Sequence, residues 1–212
     1  MTQPIPVHPP FSQTKYQVRF DWSSRGAGRI APADVAVVVD VLSYSTSLEL
    51  AATAGAATAL DETGDPHAGA AVATALAATG AMVVAGCLRN RSAVADWIIA
   101  KQAELGRRTS IVVVAVGDVD EAGSPRFAVE DFFGAGAIID ALGARGIDYT
   151  SPEAAAAAAA FDGLRNGVGH LLSASGSAQL LAQTGDAELV QAAREVDVST
   201  TVPVLDGGEF RA

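Results

Sequence analysis

The stretch that decides the fold is Val35 to Glu49, VAVVVDVLSYSTSLE. Val35 to Leu42 is β-branched and apolar with one interruption, Asp40, and such a run predicts a central strand covered on both faces in a largely parallel sheet. Ser43 to Ser47 then supplies hydroxyls suited to opening a helix, which continues over Leu48 to Ala54 and stops near Gly55. The stretch therefore reads strand, turn, helix, with an aspartate and hydroxyls at the turn.

The same alternation extends in both directions. Downstream, Ala56 to Leu60 suits a short strand, Asp61 to Gly69 a loop, Ala70 to Ala78 a helix and Met82 to Ala85 a strand. Asn90 is placed to cap a helix reaching about Leu105, and Ser110 to Val116 is another buried-type strand. Gly117 to Arg126 reads as an acidic loop, and Phe127 to Leu142 has the apolar spacing of a helix. Ser151, Pro152 and Glu153 form a helix start, with a capping hydroxyl, a first-turn proline and a carboxylate near the positive dipole end. Helices over Ser175 to Gln183 and Asp186 to Val196 lead to a last strand, Thr201 to Leu205.

Upstream, Tyr16 to Phe20 alternates as a half-buried edge strand and Ser23 to Arg29 is a glycine-containing loop. Residues 1 to 15 hold four of the nine prolines and read as an irregular arm. Strands alternating with helices predict one α/β domain over residues 16 to 212, a three-layer α/β/α fold with a largely parallel or mixed sheet.

Composition narrows the function. The 212 residues are 50% hydrophobic with a formal net charge of −10, which disfavours nucleic acid and anionic membranes as partners. An anionic substrate would need local help from a divalent cation, an arginine or a helix N-terminus. Lone Cys87 excludes a disulfide within the chain and suits a reducing cytoplasm. The first residues lack the features of a secretory signal, and no apolar run has the length of a membrane span.

Ligands of open α/β sheets bind beyond the carboxyl ends of the strands. There the sequence offers Asp40, Ser43, Ser45, Thr46, Ser47, Arg89, Asn90 and, across the next loop, Glu130 and Asp131. Asp40 at the end of a buried strand either caps the adjacent turn or ligates magnesium, since an unrelieved buried carboxylate is costly. Ser45, Thr46 and Ser47 either cap a helix or present donors to phosphate. Glu130 and Asp131 favour their helix dipole by about 0.3 to 1 kcal/mol without any ligand, and adjacent helical residues point about 100° apart. Arg89 and Asn90 are either a solvated cation beside a cap or an oxyanion site.

Several templates fail: no Walker loop, dinucleotide glycine fingerprint or GxSxG elbow is present, and no second aspartate follows Asp40 in a DxD pattern. A nucleotide-binding module built on Ser45 to Ser47 would lack the glycine-rich loop. His8, His67 and His170 are scattered, with only His67 in a plausible site loop. Cys87 reads as a small buried residue rather than a nucleophile.

In order, VVVDVLSYSTSLELA, GCLRNRSAVA, FAVEDFFGAGAIIDAL, SASGSAQLL and VPVLDGGEF resemble the 2-phosphosulfolactate phosphatase family, with FDW at Phe20 to Trp22 in keeping. The resemblance spans about residue 18 to the end. It implies a magnesium-dependent phosphatase converting 2-phospho-3-sulfolactate and water to sulfolactate and phosphate, a step of coenzyme M synthesis. On it, Asp40 and one of Glu130 or Asp131 would hold Mg2+ or act in acid–base catalysis. Ser43, Ser45, Thr46, Ser47, Arg89 and Asn90 would hold substrate oxygens. Two departures stand out. Ser43 replaces the arginine of the family's DVLRAT, removing a cation, and Asp61 to Gly69, with the remnant PHAGA, is shorter than the family's middle region. Losing a strand there would leave backbone groups to be satisfied, at about 1 to 3 kcal/mol each. Either the sheet is rearranged or a second chain covers its edge, which makes a homodimer one arrangement open to it. A catalytically inactive relative that binds ligands or forms dimers is the alternative to the enzyme.

Overall fold

In the computed structural model, described here for residues 9–60, 69–120, 122 and 124–212, the Val35 stretch forms the middle of a seven-stranded sheet. The elements follow in chain order. Strand β1 (Val18–Trp22) leads to helix α1 (Ser23–Arg29), β2 (Val35–Val39) to α2 (Tyr44–Thr53), and the two-residue β3 (Thr58–Ala59) precedes α3 (Gly69–Ala77). Then come β4 (Met82–Ala85), α4 (Arg91–Leu105), β5 (Ile111–Ala115), a small hairpin of β6 (Asp118–Val119) and β7 (Pro125–Arg126), and α5 (Val129–Gly143). The C-terminal part holds α6 (Pro152–Leu164), α7 (Val168–Ser173), α8 (Gly176–Thr184), α9 (Ala187–Ala193), β8 (Val204–Asp206) and β9 (Glu209–Arg211).

The main sheet runs β1-β5-β2-β4-β8-β9-β3. Its first four strands are parallel and the last three pair antiparallel. Val37 of β2 lies opposite Val113 of β5 and Val84 of β4, so β2 is central, as its unbroken apolar run requires. Period-2 alternation sends Val35, Val37 and Val39 into the core beneath α4 to α9, and Ala36 and Val38 into the core shared with α1 to α3. Both faces are covered and the fold is three-layer α/β/α.

This arrangement makes the site. The helix after β2 packs on one face while those after β4 and β5 pack on the other, so the chains leaving neighbouring strands diverge at both borders of β2. The carboxyl ends of these strands are where ligands of open α/β sheets bind.

Four elements differ from the sequence reading. Ser23 to Arg29 is helical, with Gly26 packed against Asp21 where a Cβ would come within 2.7 Å of its carboxylate. The edge strand β1 is buried along most of its length, and Gln13 closes its free edge, its amide donating to Phe20 O and accepting from Phe20 N. The end of the chain is a hairpin whose turn uses Gly207 and Gly208, both at positive φ. Residues 9–12 of the arm form a 3-10 turn. The loop at 61–68, with His67, and the first eight residues with His8 lie outside the described residues.

Candidate active site

Asp40 lies one residue beyond β2 and is buried. The backbone turns sharply after it, and the hydroxyls of α2 hold that turn: Ser45 Oγ accepts from Asp40 N and donates to Val38 O, while Thr46 Oγ1 donates to Val41 O at 2.8 Å. These two hydroxyl protons are spent on the strand end. Ser43 and Ser47 are half-buried at the same turn, linked by Ser47 N donating to Ser43 O.

Glu130 and Asp131 fall in the first turn of α5 and both are buried. Asp131 spans the two strand exits, with Oδ1 accepting from Val41 N at 2.7 Å and Oδ2 from Gly117 N at 2.9 Å. One carboxylate thus ties together the exits of β2 and β5. Its pKa is pushed well above the ordinary carboxylate range, first by burial and then by the charges of Asp40 and Glu130, against the two N–H donors. Asp40, Glu130 and Asp131 therefore form one mutually repelling cluster. Among the described residues, no group of three or more His, Cys, Asp or Glu side chains is spaced to hold a metal ion.

The other border of β2 carries a second group. Arg89 Nε donates to buried Glu49 of α2 at 2.6 Å, and Nη1 donates to Glu195 and to Ala192 O at 3.1 Å. Burial works against the charge of Arg89, but its two glutamates keep the pKa raised. Asn90 is fully buried: Oδ1 accepts from Cys87 N, and Nδ2 donates to Ala85 O and Thr201 O. It therefore anchors the loop after β4 to the C-terminal segment. Burial, then the charge of Glu49, pushes the Cys87 thiol up to about 11, which leaves it inert at neutral pH.

Asp40, Ser43, Ser45, Thr46, Ser47, Arg89, Asn90, Glu130 and Asp131 all lie along this carboxyl edge, with the acidic group at the β2/β5 border and Arg89 and Asn90 at the β2/β4 border. Sequence reasoning gave no role to Glu49, Glu195 or Gly117, since long-range pairs leave no local pattern.

The family description 2-phosphosulpholactate phosphatase matches residues 67–208, about two thirds of the chain. The chain belongs to this family. The matched stretch of this 2-phosphosulpholactate phosphatase relative contains Arg89, Asn90, Glu130 and Asp131, whereas Asp40 and the α2 hydroxyls precede it and join the site through Asp131. A comparison with curated proteins finds no match. No helix among the described residues is long and apolar enough to cross a membrane.

Proposed function

We propose that this protein is a magnesium-dependent phosphatase acting on a small phosphorylated acid. For 2-phospho-3-sulfolactate, water and ester give sulfolactate and phosphate, a step that would serve coenzyme M synthesis in the cytoplasm. The observation that supports this most is the convergence of Asp40, Glu130 and Asp131 at the carboxyl ends of β2 and β5.

The donor set suits Mg2+, a hard cation that takes carboxylate oxygens, retains several waters and needs only one or two protein carboxylates beside substrate phosphate. Asp40 and Glu130 would hold it, while Asp131, its two oxygens accepting from Val41 N and Gly117 N, fixes the two loops. The bound cation would supply charge neutralisation for the phosphoryl oxygens. Glu130 is assigned the proton removed from the attacking water. Ser43 and Ser47, half-buried at the turn, are assigned substrate oxygens, while Ser45, Thr46 and Asn90 keep the backbone in place. Arg89 is assigned the second anionic group, displacing Glu195.

The saturation of Arg89, Ser45, Thr46 and Asn90 by the protein's own groups favours a second reading, an inactive relative that keeps the fold for ligand binding or dimer formation. One experiment separates them. Purified protein with Mg2+ should release phosphate from 2-phosphosulfolactate or a monoester panel, lose this with EDTA, and fall by about 10²-fold or more in Asp40→Ala or Glu130→Gln. A folded, magnesium-supplied sample with no turnover on the panel supports the second reading.

A further inference from the structure

The carboxyl edge changes chemistry along its length: Arg89 at the β4 end, carboxylates at β2, and aromatic rings at β1. Trp22 ends β1, and its indole packs so closely on Gly117 that a Cβ there would come within 3.3 Å of the ring. Gly117 is the residue whose N–H is bound by Asp131, so the aromatic and acidic groups meet at one peptide. Trp22 stacks with Phe132 at 5.9 Å and 22°. Phe127, just ahead of α5, packs against Trp22 at 5.4 Å and Phe132 at 5.5 Å, yet remains 61% exposed. A large exposed ring on the rim of a buried polar cluster is the kind of surface a ligand covers.

The charges around this wall define what it accepts. Arg29 is paired with Asp21, and Arg126 with Asp118 and Ser177. Asp40 and Glu130, whose charges act on Asp131, add negative charge at the same strand ends. A second anionic group would find repulsion here, whereas an uncharged planar group would cover Phe127 and Trp22 at no electrostatic cost.

We infer that Trp22, Phe127 and Phe132 form a subsite for the planar aromatic group of a phosphomonoester whose phosphate lies at the carboxylates. The inference rests on the phosphatase reading for the phosphate's position, and it extends the substrate class to aryl phosphates.

Calorimetric titration of the full chain, in Mg2+, with phenylphosphonate and methylphosphonate tests it without requiring turnover. Phenylphosphonate should bind about tenfold more tightly, the scale of one aromatic contact. Phe127→Ala, at an exposed position, should erase the preference and Phe127→Tyr should retain it. Equal affinities in the wild type, no binding of either probe, or a preference untouched by Phe127→Ala overturns the subsite. An aryl preference without hydrolysis of any monoester would keep the subsite and remove the phosphatase reading; hydrolysis with aryl and alkyl esters treated alike would do the reverse.

Discussion

Asp34 shows how one side chain fixes the start of the central strand. Its Oδ2 accepts from Ser110 N and Ser110 Oγ, both at 2.7 Å, and its carboxylate pairs with Arg107. The hydrogen bond from Arg107, followed by those from Ser110, holds its pKa well below the usual carboxylate range against burial. Arg107 is largely exposed and its pairing is screened by solvent, so the Ser110 bonds dominate the stability. Asp34→Ala should cost about 1 to 3 kcal/mol at pH 7. Because the folded pKa lies below the unfolded one, this stabilisation is present above about pH 4 and is lost as pH falls further. Urea unfolding of both proteins at pH 7 and pH 3 checks this, and an unchanged gap at pH 3 would refute the assignment.

At the scale of elements, α5 is wedged between the sheet and α6, and two glycines make that possible. Gly134 and Gly136 are about 200° apart around the helix. A Cβ on Gly134 would come within 2.5 Å of Val41, and one on Gly136 within 2.1 Å of Ala157 O. The first faces the sheet and the second faces α6. Gly136→Ala gains at most about 1 kcal/mol in helix propensity but forces α6 outward, an overpacking cost of about 1 to 3 kcal/mol. A net loss of thermal stability is expected in a melting experiment, and a rise in Tm would show that α6 yields freely. Elements of this kind were legible where local signals agree. Met82 to Ala85 reads correctly from its apolar run, and Ser151 caps α6 through Ala154 N as its Ser-Pro-Glu start requires. Ser23 to Arg29 was not legible because its two glycines suit a loop, and the need for Gly26 arises only from Asp21 packing against it. The final hairpin had a signal in Asp206-Gly207-Gly208, which marks a tight turn. The candidate site was legible as a location, because strand ends can be read; its internal pairing was not, since Glu49 and Arg89 lie 40 positions apart.

For the molecule as a whole, the acidic cluster opposes folding when its carboxylates are all ionised. The chain carries a formal net charge of −10, and repulsion from Asp40 and Glu130 adds to burial in raising the pKa of Asp131. A carboxyl whose folded pKa is raised contributes stability below its unfolded value, near pH 4, and loses that contribution as pH rises through the folded pKa. The metal-free protein should therefore gain stability on mild acidification within that window. A cation bound only by the native state contributes RT ln(1 + [L]/Kd), about 2.7 kcal/mol at a hundredfold excess over Kd. Mg2+ should thus raise Tm more at pH 8 than at pH 5, where protons compete for the same oxygens. Glu130→Gln should melt higher than wild type without metal, because one repelling charge is gone, and should respond little to Mg2+. Scanning calorimetry of both proteins with EDTA or Mg2+ at the two pH values measures all four terms. A wild-type Tm indifferent to Mg2+ at pH 8 would mean that the cluster is relieved by the protein itself and that magnesium has no place in the site.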